Sequence, residues 1–210
     1  MHYRIALILA ATLLATACAG KVDYAPPQAA QPGQNSITVS ESADAVWKKL
    51  VPKLGQQFFV VNNLDKDSGF INVSYSGDPE RYVDCGTITS YVKNARGPRT
   101  YVFPGAKAQQ SYEVMSDGLY FLDRKMNLEG RVNIIVERQG PKSTRITANT
   151  RYVLTRSVTV QSVGGQIPQT ATDSVSFDSG QSGTFSSGSD RELTCTAKGT
   201  LEQSVLDLAH

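Results

Sequence analysis

The side chains with the clearest potential for chemistry are the carboxylates of one short acidic segment. The sequence GDPERYVDCG, residues 77–86, carries Asp78, Glu80 and Asp84 around Arg81. Two carboxylates can act as a general acid and a general base, as in glycan cleavage, and a charged segment can equally form a partner-binding loop. The simpler interpretation is a turn at the Gly-Asp-Pro sequence, in which the arginine offsets the acids. We favour the turn because no nucleophile accompanies the carboxylates.

Histidine is confined to the two ends of the chain, at His2 and His210. Since His2 is expected to leave with a signal peptide, the mature domain would hold no internal imidazole. This excludes Ser-His-Asp and Cys-His catalysis, and also zinc or copper sites built on histidine. The turn at residues 63–69 also lacks the glycine and carboxylate positions of an EF-hand calcium loop. We therefore expect a non-enzymatic protein without a cofactor or a metal site.

The N-terminus has the layout of an export signal. Arg4 precedes an apolar run from Ile5 to Ala17. A transmembrane helix needs about 20 apolar residues, so this run is too short to span a bilayer and is typical of a removable signal peptide.

The sequence ATAC at residues 15–18 resembles the lipobox of bacterial lipoproteins, with Ala15 where leucine is commonest. The resemblance implies that residues 1–17 are removed and that the sulfur of Cys18 carries diacylglycerol. In a Gram-negative cell it further implies a lipid-anchored protein of the outer membrane that faces the periplasm. The alternative is an ordinary secretory signal followed by an incidental cysteine.

The two other cysteines, Cys85 and Cys195, form an even pair if Cys18 takes the lipid. Exported proteins occupy oxidising compartments, where thiols tend to form disulfides. Both residues lie in strand-like sequence, and we favour a disulfide over two buried free thiols.

Charge gives little indication of a nucleic-acid partner. The chain has 21 basic and 19 acidic residues and a net charge of +2, which leaves no broad basic footprint. One small basic cluster, Lys93, Arg96 and Arg99 beside Tyr101, is a candidate contact for anionic lipid or a partner. A solvated hairpin tip explains these residues equally well.

The pattern after the signal divides the chain into a tether and one domain. Residues 18–35 contain three prolines and no apolar periodicity, which predicts a lipidated cysteine followed by a flexible tether. Residues 36–210 are predicted to form a single α+β domain.

Apolar periodicity predicts a helix at each end of this domain and strands between them. The first helix spans 43–56 with Ser42 as its N-cap, and the last spans 200–209 with a capping box of Thr200 and Gln203. Alternating patterns predict strands over 57–64, 69–76, much of 119–160, and 191–199. The first half of 161–190 is predicted to be a mobile loop, after which 175–177 pairs with 184–186. The fold class is thus an antiparallel sheet of about six to eight strands, covered by the N-terminal and C-terminal helices.

The stretch ITVSESADAVWKKLVPKLGQQFFVVNNLDKDSGFINVSY resembles the helix-grip domains of bacterial envelope lipoproteins such as BamC (NlpB). In those domains a tryptophan-bearing helix is followed by a strand, an Asp/Gly turn and a second strand. The resemblance covers residues 36–76 and, more loosely, 191–209.

Three functions are compatible with this sequence. The leading hypothesis is a lipid-anchored, non-catalytic module that binds other envelope proteins or supports their assembly. The alternative is a helix-grip carrier that holds an apolar ligand between the helix 43–56 and the sheet. An enzyme would require a mechanism based on carboxylates alone.

Overall fold

The computed structural model describes residues 19–28, 35–57, 59–186 and 191–210, and Cys18 and the signal segment lie outside these ranges. The described chain contains two α-helices, α1 (Ala43–Gln56) and α2 (Thr200–Leu206), and two short 3-10 helices, Pro79–Arg81 and Asp207–Ala209. Its strands are β1 (Ala19–Ala25), β2 (Ser36–Val39), β3 (Val60–Asp65), β4 (Phe70–Gly77), β5 (Val83–Asp84), β6 (Thr87–Asn94), β7 (Gly97–Pro104), β8 (Gln109–Met115), β9 (Leu119–Gly140), β10 (Ser143–Ser162), β11 (Gln169–Asp178), β12 (Ser182–Phe185) and β13 (Leu193–Ala197).

One long hairpin of β9 and β10 organises the fold. The two strands pair along their whole length, from Ser143 beside Gly140 to Ser162 beside Tyr120. At about 3.3 Å per residue, the 20 residues of β10 extend for about 65 Å. This hairpin confirms the long strands that were predicted within 119–160 from the regular alternation of apolar residues.

Each strand of the hairpin is flanked by two shorter strands, placed end to end. Strand β9 pairs with β8 and then β4, whereas β10 pairs with β2 and then β11. Strand β3 completes the main sheet beside β4, so seven of the described strands form one antiparallel sheet. The predicted antiparallel α+β class is consistent with this architecture.

Only one face of the main sheet is buried. Even-numbered residues of β9 and β10 point to this face, and Leu128, Val132, Ile134, Ile146 and Leu154 have no exposed surface. Helices α1 and α2 pack on β9 and β10. The other half of the face is covered by two small sheets, β1-β6-β7 and β12-β13-β5.

Helix α1 is held on the sheet by its apolar face, and helix α2 approaches the backbone of β9 closely. Helix α1 begins at the predicted N-cap, where Ser42 Oγ accepts the Ala45 N–H at 3.3 Å, and it buries Val46, Leu50 and Leu54 completely. Helix α2 lies over Gly130 of β9, where a Cβ would lie 2.7 Å from Leu201 Cδ2. A larger residue there would force the Leu201 side chain to move.

A disulfide joins Cys85, just after β5, to Cys195 of β13. Both sulfurs belong to buried residues of the common core. The predicted disulfide is confirmed, and it ties the sheet β12-β13-β5 to the segment that leads into β6.

The expected flexible tether over residues 18–35 differs from the structure at Ala19–Ala25. These residues form β1, which pairs with β6 from Ala19 beside Lys93 to Ala25 beside Thr87. Val22 and Tyr24 are the half-buried positions, and Tyr24 Oη both donates to the Thr194 carbonyl and accepts the Thr194 N–H at 3.0 Å. With two apolar residues, the strand has too little periodicity to be recognised beside the following prolines.

The serine- and threonine-rich region also differs from expectation. The mobile loop predicted for the first half of 161–190 is wrong from Gln169 onward, because β11 pairs there with β10 through hydroxyl-bearing residues. The predicted pairing of 175–177 with 184–186 is wrong as well, since β12 pairs with β13. The predicted capping box is absent, because Gly199 is the N-cap of α2 and the Thr200 hydroxyl donates to the Arg81 carbonyl.

Neither helix in the described ranges combines the length and apolarity that crossing a bilayer would require.

Candidate functional site

The second face of the main sheet, here called the open face, is a broad surface that the fold leaves uncovered. Among the described residues, no helix or sheet packs on it. It is formed by the odd-numbered residues of β9 and β10, such as Arg131, Asn133, Asn149 and Arg151, which are exposed while their even-numbered neighbours are buried. The antiparallel register that buries the core therefore places a polar surface on the opposite side.

A row of five asparagines crosses this face at right angles to the strands. Asn62 donates to Asn72 at 2.9 Å, and Asn72 donates to Asn133 at 2.7 Å. Asn133 stands directly beside Asn149 in the β9–β10 ladder, and Asn149 accepts a hydrogen bond from Asn35 at 2.8 Å. Each amide carries donor and acceptor groups, so this asparagine row presents an ordered series of polar groups at the strand spacing of about 4.8 Å.

Hydroxyl groups form a second ordered set on the half of the open face built by β10 and β11. Thr155 bonds Ser174 at 3.1 Å, and Thr159 bonds Thr170 at 2.9 Å. Cross-strand hydroxyl pairs of this kind stabilise a sheet modestly. The open face is therefore rich in hydrogen-bonding groups, several of which are paired across strands along the hairpin.

A shallow groove of about 380 Å³ lies on the open face next to the asparagine row. Its walls include Val60, Asn72, Tyr75 and Arg131. Val60 is 64% exposed, which is unusual for a valine in a strand and gives the groove an apolar rim. An arginine, amides and an apolar rim together suit recognition of a polypeptide surface.

The residues of the predicted basic cluster differ in their exposure and in their partners. Lys93 and Arg96 are exposed at the β6–β7 hairpin, and Tyr101 is half-buried. Arg99 instead forms an ion pair with Glu113 at 2.5 Å, and this hydrogen bond raises the pKa of the Arg99 guanidinium. Lys93 and Arg96 remain available for an anionic partner, whereas Arg99 is engaged within the fold.

The acidic segment 77–86 is built into the turns that precede β6. Asp78 caps the short 3-10 helix by accepting the Glu80 N–H at 2.9 Å, and Asp84 accepts the Gly86 N–H at 2.8 Å. The Glu80 carbonyl accepts from Lys198 at 2.7 Å. These contacts give two of the three carboxylates a role in holding backbone turns, as the simpler interpretation of the segment requires.

Two buried polar contacts on the covered face connect β11 and the last helix to β10. Arg156 is 1% exposed. Its guanidinium makes a bidentate ion pair with Asp173, in which Nε and Nη2 donate to the two carboxylate oxygens at 3.0 and 2.6 Å. Tyr152 donates to the buried carboxylate of Glu202 at 2.7 Å. Burial and the adjacent Glu202 raise the pKa of Tyr152 far above its ordinary value. Sequence reasoning did not identify these residues, because polar side chains at core positions look like breaks in the hydrophobic alternation.

Within the described ranges, no three histidine, cysteine or acidic side chains come together as a metal site would need. Comparisons of the chain with family models, with curated proteins and with solved structures found no significant match. The asparagine row was also missed from the sequence. Its signal is that Asn72, Asn133 and Asn149 all occupy outward positions of their strands, which becomes meaningful once the strand register is known.

Proposed function

We propose that this chain is an envelope lipoprotein, anchored in the outer membrane through diacylglycerol on Cys18 and facing the periplasm. Its helix-grip-like domain acts as a non-catalytic module that binds other envelope proteins or supports their assembly. The lipid anchor is supported by the signal-like leader that ends at Cys18. The binding role is supported above all by the open face.

The contrast between the two faces of the main sheet carries this proposal. The helices and small sheets bury most of one face, while the other presents hydrogen-bonded amides, hydroxyls and the groove at Val60 and Arg131. An exposed, preorganised polar surface can bind a partner without losing much side-chain entropy. Such a surface suits a protein partner, which can place its own donors and acceptors against these groups.

The carrier alternative has less support from the packing. A carrier would need an apolar space between α1 and the sheet, whereas Val46, Leu50 and Leu54 are fully buried against core residues. A groove of about 350 Å³ lies at the beginning of α1 beside Trp47, and it is lined by Asp44, Lys66 and other charged residues. Lys66 bonds Asp44 at 2.8 Å and lowers the pKa of that carboxyl group. Such a groove is poorly suited to an apolar ligand.

The anchor is tested by metabolic labelling with a palmitate analogue. The wild-type protein should incorporate the label and fractionate with outer membranes, and Cys18→Ser should do neither. An unlabelled, freely soluble wild-type protein would contradict the proposed anchor. Native mass spectrometry of the purified domain tests the carrier, since a carrier should retain lipid in the Cys18→Ser variant.

The binding surface is tested by a photo-cross-linking amino acid placed at single positions in living cells. Probes at Asn133 and Asn149 sample the open face, and matched probes at Lys48 and Gln203 sample exposed positions of α1 and α2. We expect discrete protein adducts from the two sheet positions, identified by mass spectrometry. Adducts from the helices with none from the sheet would exclude the open face as the binding surface.

A further inference from the structure

The strand that follows the proposed lipidation site begins without an intervening linker. Ala19 is the first residue of β1 and pairs with Lys93 at the end of β6. Consecutive Cα atoms are about 3.8 Å apart, so a lipid on Cys18 would enter the bilayer immediately beside this part of the domain. The folded domain therefore has little freedom to stand away from the membrane.

The same end of the molecule carries exposed groups that suit a membrane surface. Lys93 and Arg96 are exposed at the β6–β7 hairpin. In the loop between β10 and β11, Val163 is 57% exposed and Ile167 is 81% exposed, the highest value among the large apolar residues of the described chain. Basic and aliphatic side chains side by side are typical of surfaces that contact anionic lipid.

A close contact and a shared groove place the start of β1, the end of β6 and the loop after β10 at one end of the fold. Gly20 packs against Met115 so closely that no Cβ could be accommodated. Met115 in turn lines an open groove of about 580 Å³ together with Asn94 and Val163. The Val163 N–H also donates to the Leu119 carbonyl at 3.1 Å, which holds the aliphatic loop at the open end of the long hairpin.

We propose that this end of the domain, here called the anchor pole and comprising Ala19, Lys93, Arg96, Val163 and Ile167, rests on the headgroups of an anionic bilayer. This inference depends on the proposed lipidation of Cys18 and adds to it the orientation of the domain. Asp117 also lies at the anchor pole, where it accepts the Tyr120 hydroxyl at 2.8 Å. In this orientation the long hairpin points away from the membrane, and the asparagine row stays accessible to a partner.

Tryptophan fluorescence on vesicles tests the orientation. The lipidated full chain, carrying Trp47→Phe, is reconstituted into phosphatidylglycerol-containing vesicles that include a lipid with a nitroxide near its headgroup. Val163→Trp and Ile167→Trp report from the anchor pole. Val60→Trp is the matched control, because Val60 is a similarly exposed valine on the edge strand β3, which does not belong to the anchor pole. We expect strong quenching at 163 and 167 and little at 60.

Flotation of the same vesicles separates the possible failures. Equal quenching at all three positions, or none, in protein that floats with the vesicles would overturn the orientation and leave the anchor intact. A wild-type chain that carries no lipid and does not float would refute the anchor, and the orientation with it.

A charge test uses the unlipidated Cys18→Ser chain. Lys93→Gln and Arg96→Gln should weaken its partitioning onto phosphatidylglycerol vesicles by about fivefold for each charge removed. Arg131→Gln and Lys142→Gln, which remove exposed charges elsewhere, should have little effect. Equal losses from both pairs would contradict a specific role for the anchor pole.

Discussion

Tyr152 of β10 and Glu202 of α2 meet on the covered face of the sheet, where the tyrosine hydroxyl lies 2.7 Å from the carboxylate. Both side chains are almost fully buried, and Ser179 donates a second hydrogen bond to Glu202. A buried carboxylate is costly unless its oxygens accept hydrogen bonds. These two donors therefore fix the position of α2 at a site where the sequence of the helix alone would predict an outward glutamate.

Tyr152→Phe should lower the free energy of unfolding by about 1–3 kcal/mol, because it leaves one oxygen of a buried carboxylate without its donor. Tyr120→Phe is the matched control, since Tyr120 donates to Asp117 at 2.8 Å in an exposed position. That change should cost less than about 1 kcal/mol. Urea denaturation measures both, and equal losses would show that burial does not decide the strength of these contacts.

The raised pKa of Tyr152 predicts a loss of stability at alkaline pH. In the unfolded chain this phenol titrates near 10.0, whereas burial and Glu202 keep it protonated in the folded state. Unfolding above pH 10 therefore releases a proton, and the free energy of unfolding falls as pH rises by about 1.4 kcal/mol per unit for this group. Tyr152→Phe should make this dependence on pH shallower by about 1.4 kcal/mol per pH unit, which corresponds to the loss of one titrating proton. Parallel slopes for the two proteins would rule out this linkage.

Two Arg–Asp pairs join β10 to β11 and differ mainly in burial. Arg156 is 1% exposed and, besides Asp173, donates to the carbonyls of Arg191 and Ser186 and lies over the Phe185 ring. Arg156→Gln should cost about 2–3 kcal/mol, because it removes a buried guanidinium that donates to one carboxylate and two carbonyls, while Asp173 keeps access to water. Arg151→Gln breaks the pair with Asp178, whose side chains are about half exposed, and should cost at most about 1 kcal/mol. Thermal unfolding of the two variants gives the comparison.

The parts of the fold with strong periodicity could be predicted from the sequence. Helix α1, the long strands within 119–160 and the apolar parity of β13 all follow from side-chain spacing, which is a local property. The disulfide could also be predicted, because an exported chain that uses Cys18 for lipid would leave a single pair of cysteines. The side-chain periodicity that forms the helix and strands acts within one segment, and the pairing of the cysteines depends on residue type alone.

Features that depend on register or on tertiary contacts could not be predicted. Strand β1 has two apolar residues and is held by its pairing with β6. Four of the ten residues of β11 are serine or threonine, and its pairing with β10 overrides a composition typical of loops. The asparagine row exists only because the register brings Asn72, Asn133 and Asn149 into line. Arg99 looked like a free surface charge because Glu113 is distant in sequence.

Removal of the disulfide should be strongly destabilising. The bond closes a loop with a sequence separation of 110, for which the chain-entropy model gives about 4–5 kcal/mol. The Cys85→Ala, Cys195→Ala double variant and the reduced wild-type protein should both lose stability of this order in guanidinium denaturation. Cys18→Ser serves as the control and should unfold like the wild type. An unchanged midpoint in the double variant would mean that the core alone holds these segments together.

Substitution in the asparagine row should affect binding more than stability. Asn72 accepts from Asn62 and donates to Asn133 on an exposed surface, so Asn72→Leu should change the free energy of unfolding by less than about 1 kcal/mol. If the row contacts a partner, loss of one or two hydrogen bonds should weaken binding by about tenfold. Asn127→Leu, at an exposed position of β9 six residues from Asn133 and outside the row, is the matched control. Cross-linking yield from a probe at Asn149 measures the effect, and equal yields for the two variants would separate the row from partner binding.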